Sequence, residues 1–409
     1  MAEEKRLNIA MITYHSLPFL NHQDMDPRNI NIGGMDADVG SLVMELDRLG
    51  HRVIVYTGNR IDPFETIVHP IGNNSEVIHL PIGVKTYDKK ELKERRPIFD
   101  EGVLQHIRDR EKPNVVHSHY WLSSTAGMAI HSELGSAWIH KFHTEERLKG
   151  RFIPRNLIDQ SRIEEEDYIA EQADGIVVST RSCLEDLVSF GVKEEKIHIV
   201  SPGFNPDIFY REGQQEARQK LGISSNEYMI LGVGRSDPFK NYDHLIQALE
   251  IIRDPKIKLY LIGGSFSDTE RQRLAIEAEN RGVGKQVVFV EMIRSEELRL
   301  YYGAADLECI TSHHETFGIA GMEAMACGTP VLAYDVGGLH YLIHNPRFLV
   351  QSGKIEAYTT RMKEILHDER LRTDMREEVL THAQNYRIGL TAPKMVEVYR
   401  NVMSVSRAA

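Results

Sequence analysis

Residues 229–252, MILGVGRSDPFKNYDHLIQALEII, contain the unit that decides the fold. An apolar run from Met229 to Val233 reads as a strand, Gly234 to Asn241 as a turn rich in glycine, proline and charge, and Tyr242 to Ile252 as an amphipathic helix. The unit recurs downstream: Lys258–Gly263 is a strand, Asp268–Arg281 a helix, Val287–Val290 a strand, Leu298–Ala304 a helix and Leu307–Ile310 a strand. Upstream the same alternation runs through Leu7–Tyr14, a helix around Gly40–Leu49, Val53–Tyr56, Val115–Ser118, Gly175–Ser179 and Ile197–Val200. Strands alternating with helices predict parallel sheets with crossover helices, an α/β chain.

Between the two series lies Ser201–Gly213, SPGFNPDIFYREG, whose prolines and glycines discourage regular structure. The expectation is two Rossmann-like, doubly wound domains facing across a cleft, residues 1–203 and 204–389, and 409 residues suffice for two cores. The last periodic stretch, Leu390–Val405, can close either domain; a helix at about 390–409 would then pack back on the first.

The net charge of −11 disfavours a nucleic-acid footprint or a basic membrane-docking face. No apolar run approaches 18 residues, and Met1–Arg6 leads into the first strand without a signal-peptide core, so the protein reads as cytoplasmic, with no strong membrane signal. Three widely spaced cysteines, Cys183, Cys309 and Cys327, argue against a disulfide framework or a zinc cluster. They read as buried or half-buried thiols.

In open α/β sheets ligands bind beyond the carboxyl ends of the strands, so those positions carry the chemistry. After the first strand, Gly33-Gly34-Met35-Asp36 precedes a helix; paired glycines there let backbone N–H groups approach a phosphate, although this fragment alone reads more readily as a plain turn and cap. His117-Ser118-His119-Tyr120-Trp121 follows another strand, and His140 and His143 with Thr144 a third; without HExxH spacing or a carboxylate in register, these histidines suggest polar chemistry rather than a metal. Arg235 and Lys240 on one loop can converge on a diphosphate, Arg as a planar fork and Lys as a mobile charge. Glu315-Thr-Phe-Gly-Ile-Ala-Gly-Met-Glu323 sets one carboxylate at a strand-to-helix junction and another in the helix, with free N–H groups between. A sugar nucleotide needs both kinds of group.

Taken together, Glu-x7-Glu followed by AMACGTPVL, the GR-x4-K loop, GG before the first helix, HSHYW and a late GGL at Gly337–Leu339 resemble the family 4 retaining glycosyltransferases of GT-B fold. GGM, GHRVIVYT, HSHYWLSS and Arg162-x3-Glu166 resemble the branch holding inositol-phosphate N-acetylglucosaminyltransferases and sucrose-phosphate synthases. The resemblance implies a UDP-sugar co-substrate, no metal or other cofactor, and a small-molecule acceptor; a homodimer is compatible with it. Arg235 and Lys240 would hold the diphosphate, Glu323 the ribose, and Glu315 with the amides of Phe317 and Gly318 the hexose. Met292–Arg294 would lie along the base, Gly34 against the diphosphate and His143 beside the donor sugar, with His143, Arg235, Lys240 and Glu315 acting in catalysis. The leaving phosphate itself would take the acceptor proton.

Tyr120, Thr144, Arg162 and a lysine of the Lys89-Lys90 loop, Lys90 being preferred, match places where relatives hold an acceptor phosphate. Two departures alter that pocket. Asp36 stands where relatives usually have Asn, with Asp38 nearby, and Glu145-Glu146 follows Thr144. These anions would repel a phosphate and welcome an ammonium, so a phosphorylated polyol or sugar and an aminocyclitol or amino sugar compete as acceptors. A sugar-nucleotide 2-epimerase and a noncatalytic sugar-nucleotide binder share the two-sheet architecture; the epimerase would lack the GGM loop and the Glu-x7-Glu context.

Overall fold

The computed structural model describes residues 6–15, 33–152, 155–264 and 268–406. Of the loop expected between Tyr14 and Gly33, residues 16–32 lie outside them. Two compact units emerge. Met35–Ser201 and Gly389–Ala409, with the first strand, form one; Pro202–Ile388 forms the other, which a short segment ending at Gly34 joins.

The first unit has eight strands: β1 (Asn8–Ile12), β2 (Arg52–Asn59), β3 (Ile67–Ile71), β4 (Ser75–Pro81), β5 (Val115–His119), β6 (Ala137–Lys141), β7 (Gly175–Val178) and β8 (Ile197–Ile199). Their order is β3-β4-β2-β1-β5-β6-β7-β8, parallel except for the antiparallel β3–β4 hairpin at the edge. That hairpin was not expected from the sequence. Asp47 builds its turn by accepting from the backbone N–H of Asn73 (2.9 Å) and Asn74 (2.8 Å), and Pro70 sits on the edge strand, where a missing donor is tolerated.

β1, β5 and β6 are buried along their whole length, although β5 is Val-Val-His-Ser-His. Buried polar groups in such strands need partners. Ser118 Oγ lies 2.8 Å from His140 Nδ1 and accepts from Trp138 Nε1 at 2.8 Å, while His117 Nδ1 lies 2.9 Å from the Tyr399 hydroxyl. Tyr399 belongs to the C-terminal helix Ile388–Ser406, which therefore closes the first unit. Ala392, Met395, Val396, Tyr399 and Val402 of that helix are buried.

The second unit holds β9 (Tyr228–Val233), β10 (Ile257–Ile262), β11 (Val287–Val290), β12 (Leu307–Ile310), β13 (Val331–Tyr334) and β14 (Leu349–Val350). They form an all-parallel sheet in the order β11-β10-β9-β12-β13-β14. Its base is tied by a buried ion pair, Arg218 to Asp306 at 2.7 Å, whose carboxylate also accepts from Met229 N at 2.8 Å. All three cysteines are free and buried. No helix among the described residues is long and apolar enough to cross a membrane.

Apart from the β3–β4 edge hairpin, the strand order of each sheet reverses once, between β1 and β5 and between β9 and β12. At such a switch point the loops leave in opposite directions and open a crevice at the carboxyl ends of the strands. The segments singled out in the sequence emerge there.

Candidate active site

In the second unit the loop after β9 and the loop after β12 are stitched together. Thr311 Oγ1 donates to the carbonyls of Lys240 (3.2 Å) and Asn241 (3.0 Å), and His313 N donates to Phe239 O at 2.9 Å. Lys240 Nζ then meets Glu315 Oε1 at 2.6 Å, and Ser312 Oγ donates to the same oxygen at 2.7 Å. Burial works to raise the Glu315 carboxyl, but the Lys240 ammonium overrides it and holds the group below its ordinary range. Glu315 is therefore a fixed anion.

Arg235 is exposed and has no ion-pair partner among the described residues, so this cation is available to a ligand. Gly263, at the end of β10, has φ +123°, and a Cβ there would lie 2.5 Å from the carbonyl oxygen of Gly234, which is how the loop is seated. The late Gly337-Gly338 pair works similarly: Gly338 N donates to Glu315 O at 2.7 Å, and a Cβ on Gly338 would lie 2.3 Å from Thr316 O. It shapes the backbone of the Glu315 segment. Phe317 is buried, Gly318 has φ +99°, and the helix that begins at Ile319 has no side-chain cap, leaving first-turn amides free to donate. Arg294 is exposed at the N-cap position of the helix Ser295–Ala304.

Glu323 is buried and accepts from the Tyr302 hydroxyl at 3.3 Å; burial pushes its carboxyl up to about 8. A second acid, Glu308 on β12, passed unnoticed in the sequence because LECI reads simply as a strand. It is fully buried, its Oε1 accepts from Val233 N at 3.4 Å just before Gly234, and its Oε2 has no partner among the described residues. Burial pushes Glu308 up to about 8 as well. Both carboxyls hold a proton at neutral pH.

Glu308 thus makes stability pH-dependent. The unfolded carboxyl titrates near 4.5 and the folded one near 8, so between these values the folded chain retains a proton that the unfolded chain releases, and stability falls as pH rises through the window. Glu308→Gln has no such proton. Its melting temperature relative to the parent should be similar near pH 5 and several degrees higher near pH 8.5; a difference independent of pH would contradict the assignment.

In the first unit Arg162 lies at the head of the helix Gln160–Gln172, whose N-cap Asp159 accepts from Arg162 N. Its guanidinium is buried and four of its five N–H donors are engaged: Nε to Glu166 Oε1 (2.7 Å), Nη1 to Glu146 Oε2 (2.9 Å) and the Tyr120 hydroxyl (3.1 Å), Nη2 to the Thr144 carbonyl (2.6 Å). Lys89, not Lys90, reaches Tyr120, its Nζ donating to the hydroxyl at 2.9 Å, whereas Lys90 points into solvent with no partner among the described residues. Asp88 caps this helix and starts it at Lys89, which fixes which lysine turns inward. Burial works to raise the Tyr120 phenol, but Arg162 and Lys89 override it and lower it. Lys149 stands beside the same group, 3.6 Å from Glu146 and pushed down by burial and by the neighbouring Arg162.

The acidic residues near this cluster are largely neutralised. Asp38 pairs with Lys141 at 2.6 Å, both buried; Glu146 pairs with Arg162; Glu145 is buried and pushed up to about 7. Asp36 is buried on the first turn of the helix Gly34–Arg48, with the charge of Arg60 acting on it, and Gly34 opens that helix. His143, two residues beyond β6, has φ +62° and contacts His119. Among the described residues no group of three or more His, Cys, Asp or Glu is placed to hold a metal ion.

Two parallel-sheet Rossmann-like units with these motifs at their strand ends define the GT-B class, and the chain belongs to the family 4 glycosyltransferases. Residues 32–208 match the profile described as Glycosyltransferase Family 4, and residues 213–381 that of Glycosyl transferases group 1. The chain is 30% identical over 417 residues (98% of this chain, 97% of the relative) to a D-inositol 3-phosphate glycosyltransferase of Corynebacterium aurimucosum. Identity is 32% over 348 residues, 82% of each chain, with one of the same description from Xylanimonas cellulosilytica. The sucrose-phosphate synthase of Thermosynechococcus elongatus superposes with a TM-score of 0.86 at 27% identity, covering 98% of this chain and 100% of that one.

Proposed function

We propose that this glycosyltransferase transfers a hexose or N-acetylhexosamine from a UDP-sugar to a small phosphorylated polyol or sugar, with retention of configuration and without a metal. The observation that carries the acceptor class is the convergence of Lys89 and Arg162 on the Tyr120 hydroxyl, with Lys149 alongside. Cations gathered on one phenol suit a dianion. The competing aminocyclitol reading drew on Asp36, Asp38, Glu145 and Glu146; Asp38 and Glu146 are paired and burial pushes Glu145 up to about 7, so chiefly Asp36 still speaks for it. Relatives described as acting on inositol 3-phosphate support the same choice. On the donor side Arg235 and Lys240 neutralise the leaving diphosphate, and its phosphate oxygen takes the acceptor proton.

The test is an acceptor screen in EDTA with radiolabelled UDP-glucose and UDP-N-acetylglucosamine against inositol phosphates, hexose phosphates and aminocyclitols. A phosphorylated product of retained configuration is expected. Faster glycosylation of an unphosphorylated amine, or activity only after adding magnesium or manganese, overturns the reading.

The two donor carboxyls should separate in kind. Ribose hydroxyls bind a carboxylate better than a protonated acid, so nucleotide binding draws the proton from Glu323, and UDP affinity rises with pH up to about 8. In Glu323→Gln that part of the rise is absent. Glu315→Gln should leave UDP affinity largely intact and lower turnover. Titration calorimetry from pH 6 to 8.5 reads both; identical pH profiles in parent and Glu323→Gln would reject the ribose role.

A further inference from the structure

Three adjacent strands place Met11, His119 and His143 in one hydrogen-bonded file. Met11 lies on β1 and His119 ends β5, while His143 follows β6. His119 Nε2 is 2.8 Å from Met11 Sδ, and His119 Nδ1 is 2.9 Å from His143 Nε2.

The chemistry of the sulfur orders the protons. A thioether can only accept, so Nε2 of His119 carries the hydrogen. In a neutral imidazole the other nitrogen is then bare, and Nδ1 of His119 must accept from His143 Nε2–H. Neutrality follows from the surroundings: burial, then the neighbouring His117 and His143, hold His119 well below its ordinary range, and burial followed by Lys141 does the same for His143. The His117 ring lies tilted against His119 with centroids 4.1 Å apart but spends its own Nδ1 on Tyr399, so it does not compete for His119. His143 Nδ1 has no partner among the described residues, and the backbone holds this residue in the left-handed region, uncommon outside glycine.

We propose that His119, seated on the Met11 thioether, is a positioning residue that fixes His143 as the Nε2–H tautomer and leaves Nδ1 free only as an acceptor for a carbohydrate hydroxyl. His143 in this state cannot donate to a phosphate through that nitrogen, and it does not act as a general acid. The inference rests on the proposed function for the identity of the ligand and on geometry alone for the tautomer.

Histidine side-chain ¹⁵N NMR on the full chain near pH 7.5 tests the tautomer without any substrate. His119 and His143 should both show a protonated Nε2 and a bare Nδ1. His119→Phe removes the acceptor, so His143 should become a tautomer mixture, and Met11→Leu, which keeps the volume, should shift the same signals by freeing His119 to switch. Turnover in both variants should fall about tenfold, the scale of one oriented neutral hydrogen bond. A His143 proton on Nδ1, a charged ring, or signals unmoved by both substitutions overturns the proposal. Absence of transfer from any UDP-sugar would instead refute the proposed function and leave the NMR result standing.

Discussion

Lys240→Ala should lower turnover by roughly 10²–10³-fold, the range for removing one preorganised group that stabilises charge in a transition state. In the proposed function Lys240 would act twice, as a cation for the leaving diphosphate and as the partner that keeps Glu315 ionised at 2.6 Å. Its loss leaves Glu315 half-buried with Ser312 as its remaining side-chain partner, so the variant should also melt lower. Arg235→Ala separates the two effects. Arg235 is exposed and unpaired among the described residues, so activity should drop by a comparable factor while the melting temperature stays put. Near-normal rates and UDP affinity in both variants would show that the pair does not hold a diphosphate.

Arg162→Ala should be the most disruptive single change in the first unit. The substitution leaves Glu146 and Glu166 buried without their shared cation, a situation that costs about 3–5 kcal/mol. It should therefore raise the acceptor KM and lower the melting temperature together, which makes it a poor probe on its own. Lys89→Met is the clean counterpart, because Lys89 is exposed and contacts Tyr120 only through its tip. Its expected signature is a raised KM for a phosphorylated acceptor, with donor binding and melting temperature unchanged. An unchanged KM in Lys89→Met would remove the phosphate from the Tyr120 cluster.

The parallel strands were legible because strands covered on both faces read as apolar runs, and the loops at their ends announced themselves through glycine and charge. The β3–β4 hairpin was not, since His69, Pro70 and His79 break the alternation that a half-exposed strand would show. Lys89 and Lys90 differ only in helical phase, which Asp88 sets by capping. Charge counting treated Asp38, Glu145 and Glu146 as free anions. Partners distant in sequence neutralise Asp38 (Lys141) and Glu146 (Arg162), burial weakens the charge of Glu145, and no local pattern reveals either. Glu308 was hidden for the opposite reason, a single acid in an apolar strand whose burial only the packed sheet discloses.

The C-terminal helix has a consequence for how the molecule comes into being. Its residues 389–406 complete a core whose strands lie between Asn8 and Ile199, so the first unit waits for the end of the chain, whereas the second, apart from a short segment ending at Gly34, is one stretch from Pro202 to Ile388. During synthesis the later-made unit can reach its native state while the earlier-made one still lacks Tyr399 for His117 and Val402 against Gly175. The usual vectorial order is inverted, and a nascent chain stalled before Gly389 would carry a finished second unit beside an unfinished first.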